Sequence, residues 1–141
     1  MKQERQRLVR LRRLEKIRAI ARQTAAVEAA QAESTLSKLR DVSERTHRMT
    51  QDYGSRRGMN DAAALHQVGR FLDGLRAIHR TAEGDASRAR SIADAKQKIL
   101  AEAERRRAAI EDRADRQERA IARAAEMPSL SGRKRSGTGL E

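Results

Sequence analysis

The chain has 141 residues, of which 38% are apolar and 37% are charged, and it carries a formal net charge of +12. It contains one Phe, one Tyr, no Trp and no Cys, which excludes disulfides and thiolate-metal sites and provides too few large side chains for a compact globular core. The positive charge favours acidic partners in general, whether protein, nucleic acid or anionic lipid.

A first helix is predicted from about residue 3 to residue 52, because helix-forming residues dominate and no proline interrupts them. Its N-terminal part is basic: residues 1–22 contain nine Lys or Arg against two Glu. Residues spaced alternately by three and four predict a narrow seam that packs on another helix. The predicted seam residues are Leu11, Leu14, Arg18, Ala21, Ala25, Glu28, Ala32, Thr35, Leu39, Val42, Thr46 and Met49.

A break is predicted over residues 53–59, where two glycines interrupt the pattern. Gly54 is well placed to end the first helix. Asn60 or Asp61 can cap the next one.

A second helix is predicted from about residue 60 to residue 127, with a more regular seam than the first. Its flank carries Phe71, Ile78, Ile92 and Ile99 on one line. The segment from Pro128 to Glu141 is predicted to be a disordered basic tail. The predicted seam residues are Leu65, Val68, Leu72, Leu75, His79, Ala82, Ala86, Ala89, Ala93, Lys96, Leu100, Ala103, Arg107, Ile110, Ala114, Gln117, Ile121 and Ala124.

Two helices joined by a short connection predict an all-α fold, a long antiparallel coiled-coil hairpin over residues 1–127 with a longer second helix. If the turn lies near residue 57, the numbers of facing residues add up to about 114, which pairs Leu14 with Leu100 and Leu39 with Leu75. In this register about sixteen residues at the end of the second helix lack an intramolecular partner. Either another protein covers that stripe, or the end of the helix frays or pairs with a second hairpin.

The sequence predicts a non-enzymatic protein without a cofactor, metal or small-molecule substrate. It contains neither a phosphate-binding glycine loop nor three histidines placed to converge on a metal. A two-helix hairpin also offers no walls to exclude water from a catalytic triad. The two aromatic residues, Tyr53 and Phe71, both fall near the turn, where we expect them to anchor a partner.

The basic, Leu-rich opening from Leu8 to Glu15, the Ala/Gln/Glu stretch from Ala25 to Glu33 and the hairpin pattern resemble the flagellar type III export protein FliJ family. The resemblance implies a tip that binds the export gate protein FlhA and an open end that binds the export ATPase FliI. Export chaperones are further partners by the same resemblance. The implied location is cytoplasmic, with only peripheral attachment to the membrane through the export apparatus.

On the second helix the family carries an apolar, Leu, small and His series at the gate-binding face, and residues 68, 72, 75 and 79 follow that spacing. The residues expected to bind the gate are Met49, Tyr53, Val68, Phe71, Leu72, Leu75 and His79. The residues expected to bind the ATPase are Arg5, Arg12, Arg13, Ile110, Ala114 and Ile121.

Two alternatives remain open at the level of sequence. The chain could be a basic coiled-coil arm that grips nucleic acid through phosphates, although so few aromatic side chains disfavour binding to single strands. It could also be a purely structural dimer, in which the heptads pair between chains and the segment from Gly54 to Gly58 is only a kink.

Overall fold

A computed structural model describes the backbone of residues 1–55 and 62–132, and the side chains of these residues as far as Met127. It contains two helices, α1 (Lys2–Ser55, 54 residues) and α2 (Ala62–Gly132, 71 residues), which pack antiparallel against each other. The predicted fold class, an all-α antiparallel hairpin with a longer second helix, is confirmed.

The helix ends differ slightly from the prediction. α1 continues through Gly54 to Ser55, and α2 continues past Met127 and through Pro128 to Gly132. The predicted cap at Asn60 or Asp61, and the predicted tail beyond Gly132, lie outside the described residues.

The contacts divide the chain into two compact units, which are named here by their position in the sequence. The central unit is Ala25–Ile99. The terminal unit is Met1–Thr24 together with Leu100–Glu141. Each unit contains one segment of α1 and one segment of α2.

The predicted seam of α2 is confirmed. Every predicted seam residue from Val68 to Ala124 is buried or half-buried, and only Leu65, at the beginning of the series, is exposed. Ala64 is half-buried beside it.

The predicted seam of α1 is confirmed at Leu11, Leu14 and Arg18, which are half-buried, but from residue 21 onwards it is correct only in every second position. Ala25, Ala32, Leu39 and Thr46 are buried or half-buried as predicted, but the residues between them are displaced by one position. A series of alternating three- and four-residue steps can begin with either step, and the two choices differ by one residue in every second slot. The choice that the structure makes buries Ala29 and Leu36 and leaves Glu28 exposed. Ala29, Leu36, Ser43 and Thr50 occupy slots predicted for Glu28, Thr35, Val42 and Met49.

The predicted register of the two helices is wrong by about eleven residues, or roughly three helical turns. In the central unit Thr46 faces His79, and Glu28 binds Lys96 with 3.1 Å between carboxylate and ammonium. The residue numbers of these pairs total 125 and 124, where the prediction was 114. A heptad repeat looks alike in several registers, so periodicity alone does not choose among them.

The core of the central unit follows from this register. Leu36 packs with Ala89 and Ala93, so a large side chain lies over two small ones, and Leu39 packs on the edge of this cluster. The predicted pairing of Leu39 with Leu75 is therefore wrong. Small residues at the seam let the helix backbones approach closely, which is why Ala93 is completely buried.

The expectation that the end of α2 lacks an intramolecular partner is also wrong for the residues as far as Glu118. In the terminal unit Arg12 of α1 bonds to both Asp115 and Glu118 of α2. Ile110 and Ala114 are buried there, with 9% and 0% of their surfaces exposed. The shifted register places the beginning of α1 against this part of α2.

Candidate protein-binding surfaces

The two aromatic residues of the chain meet at the turn end of the central unit. The rings of Tyr53 and Phe71 lie edge to face, with centroids 4.9 Å apart and planes at 69°. This geometry is favourable for aromatic pairs. Phe71 nevertheless keeps 44% of its surface exposed, so the pair is not enclosed in a core.

An open groove of about 270 Å³ lies beside this pair. We call it the tip groove; its walls are Tyr53, Ala64, Gln67, Val68 and Phe71. Its position follows from the helix pattern, because residues 64, 67, 68 and 71 of α2 share one face. The groove is apolar apart from the amide of Gln67 and the hydroxyl of Tyr53, which suits an apolar side chain of a partner.

His79 lies in the seam one turn beyond Leu75 and is turned towards α1. Its Nδ1 is 3.1 Å from the carbonyl oxygen of Ser43 and 3.3 Å from the hydroxyl of Thr46. Because a carbonyl can only accept, we assign the proton to Nδ1. Nε2 then points to the carboxylate of Glu83, 4.0 Å away.

Glu83 joins this arrangement from the other side, because the hydroxyl of Ser43 donates a hydrogen bond to its carboxylate. We call Ser43, Thr46, His79 and Glu83 the polar cluster. It connects the two helices through side chains that would otherwise be unsatisfied in the seam. His79 therefore has a structural role, whatever else it binds.

Sequence reasoning missed Ser43 and Glu83 because it placed Val42 in the seam. A signal for the cluster was present, since Thr46 and His79 were both predicted as polar seam residues, and polar residues in a seam require partners.

The residues predicted to bind the gate therefore differ in their accessibility to a partner. Leu75 is buried, and His79 is held by the polar cluster. Four others are half-buried or partly exposed and accessible from the surface. These are Tyr53, Val68, Phe71 and Leu72. Met49 is exposed, one position outside the seam slot that Thr50 occupies.

The residues predicted to bind the ATPase belong to the terminal unit and do not form one surface. Ile110 and Ala114 are buried by packing within the chain and cannot meet a partner without disrupting it. Ile121 is half-buried, while Arg5 and Arg13 are exposed on α1.

Arg12 is occupied by three carboxylates. Its guanidinium donates to Glu15 at 2.9 Å, to Asp115 at 3.0 Å and to Glu118 at 2.6 Å. Hydrogen bonding to these carboxylates, first of all to Glu15, raises the pKa of Arg12 above its ordinary value. Arg12 thus fastens α1 to α2, and it is a poorer candidate for partner binding than its neighbour Arg13.

Two seam positions of the terminal unit hold arginines. The Nε atoms of Arg18 and Arg107 are buried and have no hydrogen-bond partner among the described residues. Both side chains are half-buried, and their residue numbers fit the register of facing positions. The predicted register, in which facing numbers add up to about 114, would place Arg18 opposite Lys96, but Lys96 binds Glu28 instead.

Among residues 1–55 and 62–132, no group of His, Asp or Glu side chains could hold a metal ion. Within the same residues, neither helix contains an apolar stretch sufficient to cross a membrane.

Comparison with known proteins gives no further assignment: no protein-family model, curated protein or solved structure matches this chain.

Proposed function

We propose that the protein is a non-enzymatic adaptor of the flagellar type III export apparatus, which links the export ATPase FliI to the export gate protein FlhA. In this proposal the tip groove binds the gate, and the basic beginning of α1 binds the ATPase. The resemblance of the sequence to the FliJ family and the antiparallel two-helix fold are the basis for it.

The aromatic pair of the exposed Phe71 and the half-buried Tyr53 is the observation that carries the proposal. A chain with only one Phe and one Tyr would bury both in its own seam if they served stability alone. Instead Tyr53 and Phe71 border an open groove at the turn end of the central unit. Aromatic side chains at such a position are typical anchors of protein interfaces.

The charge of α1 supports the second contact. Residues 1–22 carry nine basic and two acidic side chains, and Arg5 and Arg13 are exposed. An exposed cluster of this kind accelerates association with an acidic partner and makes binding sensitive to salt. The proposal no longer includes Ile110 and Ala114, because both are buried.

The gate contact can be tested with Phe71→Asn. We expect this change to weaken binding of the full chain to the purified gate protein by ~30-fold, as the loss of an interface anchor does. Helix content, measured by circular dichroism, should be unchanged because Phe71 lies outside the core. Val27→Asn is a matched control, since Val27 is also a half-exposed apolar residue of the central unit.

The ATPase contact is tested separately with Arg5→Glu and Arg13→Glu combined. We expect loss of ATPase stimulation while gate binding remains, whereas Phe71→Asn should have the reverse effect. If the unaltered chain binds neither protein, the adaptor function is wrong. If both sets of variants reduce both interactions equally, the assignment of two separate surfaces is wrong.

A further inference from the structure

A second row of residues with coiled-coil spacing runs along α2 beside the seam. It begins one residue before the seam position Leu72 and again advances by steps of three and four. All of its residues are exposed except Asp85, which is half-buried. We call it the second stripe: Phe71, Gly74, Ile78, Thr81, Asp85, Arg88, Ile92, Ala95 and Ile99.

The second stripe is unusual for the outer face of a helix in a two-stranded coiled coil. Positions that flank a seam normally carry charged side chains. Here seven of the nine residues are uncharged, and four of them are large apolar residues. Ile78, Ile92 and Ile99 are 52%, 55% and 51% exposed, because α1 occupies the seam and not this flank. A helix with two adjacent apolar stripes is built to pack on two other helices.

The only two charges of the second stripe stand at its centre and have opposite signs. Asp85 and Arg88 form an ion pair one turn apart within α2. A two-fold axis between residues 86 and 87 would bring Asp85 of one copy opposite Arg88 of another, and Arg88 opposite Asp85. Such an isologous contact satisfies both charges twice with a single surface.

The same axis matches the sizes of the other residues. It pairs Ile92 with Thr81, Ile78 with Ala95, and Ile99 with Gly74, so each large side chain meets a small one. These are the layers of an antiparallel coiled coil, in which a knob of one helix enters a space on the other.

Gly74 is explained by this pairing. Glycine inside a helix is unfavourable for helix formation, yet a Cβ at Gly74 would meet nothing within 4 Å among the residues that the structure describes. No contact with residues 1–55 or 62–127 therefore requires glycine there. In the pairing, Gly74 provides the room for Ile99 of the second copy.

Other registers and directions of two such stripes give less favourable charge pairs. A shift by one heptad in either direction places Arg88 against Ile78 or against Ile92, which buries its charge without a partner. A parallel arrangement places Asp85 against Asp85 and Arg88 against Arg88, which repel each other. The charges thus select one register and one direction.

We propose that the second stripe is a homodimer interface, through which two copies of the chain pair α2 with α2 in antiparallel orientation. The proposal does not depend on the export function, and its central residues lie away from the tip groove.

The decisive experiment uses charge reversal with sedimentation equilibrium of the full chain. The mass should rise with concentration from 15.9 kDa towards twice that value. Asp85→Arg and Arg88→Asp should each weaken self-association at least ~10-fold, because each creates like charges across the axis. An equimolar mixture of the two variants should associate again, because every charge then meets its opposite.

The pair Asp73 and Arg76 provides the control. It is also an ion pair one turn apart in α2, but it lies outside the second stripe. Asp73→Arg and Arg76→Asp should leave the association constant unchanged. Circular dichroism of all four variants shows whether the monomer remains folded.

The orientation is measured with single spin labels, since the chain has no cysteine of its own. Labels at residue 98 should be offset along the dimer by ~35 Å, while labels at residue 87 should have almost no offset. Equal distances at both sites would overturn the antiparallel arrangement. A chain that stays monomeric up to ~1 mM, or variants that fail to associate when mixed, would overturn the interface itself.

Discussion

The seam between α1 and α2 is filled by different kinds of side chains in the central unit and in the terminal unit. In the central unit the seam consists largely of alanine with Leu36 and Leu75, and nine of its residues are buried. In the terminal unit only Ile110 and Ala114 are buried, and arginines occupy seam positions 18, 22 and 107. Ion pairs of Arg12 and Arg22 connect the helices there, the second to Glu104 at 3.8 Å.

The difference follows from side-chain size and charge. Alanine lets two helices approach until water is excluded, so a modest apolar area is buried completely. An arginine in the seam holds the helices further apart because its side chain is long. Its guanidinium N–H groups must also find hydrogen-bond acceptors. We infer that packing stabilises the central unit, while charge pairing contributes more in the terminal unit.

Within the two helices of the terminal unit, the basic excess is confined to α1. Residues 100–132 contain seven acidic and seven basic side chains, whereas residues 1–24 contain two and nine. The acidic residues on α2 partly neutralise the facing arginines of α1, as Asp115 and Glu118 do for Arg12. What remains uncompensated on α1 is available to an acidic partner.

The largest effect is expected from Leu36→Ala in the central unit. Leu36 is 4% exposed and packs on Ala89 and Ala93, which are too small to fill the space that it would leave. We expect a loss of ~2–5 kcal/mol in the free energy of unfolding, as for other buried leucines. Urea denaturation followed by circular dichroism at 222 nm measures it.

Val42→Ala is the control for this change and also tests the register of α1. Sequence periodicity assigned Val42 to the seam, but 42% of its surface is exposed. Its truncation should therefore alter the free energy of unfolding by less than ~1 kcal/mol. If Val42→Ala cost as much as Leu36→Ala, the seam of α1 would be the one predicted from sequence.

The three- and four-residue repeat was sufficient to predict the seam of α2 but not that of α1. The seam of α2 could be predicted from Val68 to Ala124 because apolar residues fill most of its slots. On α1 both Val42 and the polar Ser43 were compatible with the alternation, and hydrophobicity favoured the wrong one. Ser43 is buried because Glu83 and His79 satisfy its polar atoms. These partners lie on the other helix, so they cannot be identified until the register of the two helices is known.

The register itself could not be predicted from the turn. Taking residue 57 as the centre assumed that both helices end symmetrically around it. The contact of Tyr53 with Phe71 and that of Glu28 with Lys96 show that facing positions centre near residue 62 instead. For the candidate site this error mattered, because it left Ala114 and Ile121 without an intramolecular partner in the predicted register. Tyr53 and Phe71 could be placed near each other in the sequence-based hairpin because both are close to the connection in any register. That they bind a partner stays a prediction.

Replacing the seam arginines of the terminal unit should have an effect of intermediate size and should increase the free energy of unfolding instead of lowering it. Arg18→Leu and Arg107→Leu together remove two buried Nε donors that have no hydrogen-bond partner in the described part of the chain, and replace them with apolar side chains. We expect the free energy of unfolding to increase by ~1–3 kcal/mol. Arg10→Leu and Arg13→Leu, at exposed positions of the same unit, should not increase it. A destabilised double variant would mean that the two guanidinium groups are satisfied in solution.

The smallest effect is expected from Arg12→Gln. Its three carboxylate partners are partly exposed, so solvent screens most of the attraction, and surface ion pairs of this kind contribute little individually. The melting temperature should fall slightly at low ionic strength. It should become equal to that of the unaltered chain in ~1 M NaCl, where the screening length is about 3 Å. Arg13→Gln, at the exposed neighbouring position, should show neither change. If the loss for Arg12→Gln persisted in high salt, its aliphatic stem, rather than its charge, would be holding α1 to α2, and the terminal unit would resemble the central one after all.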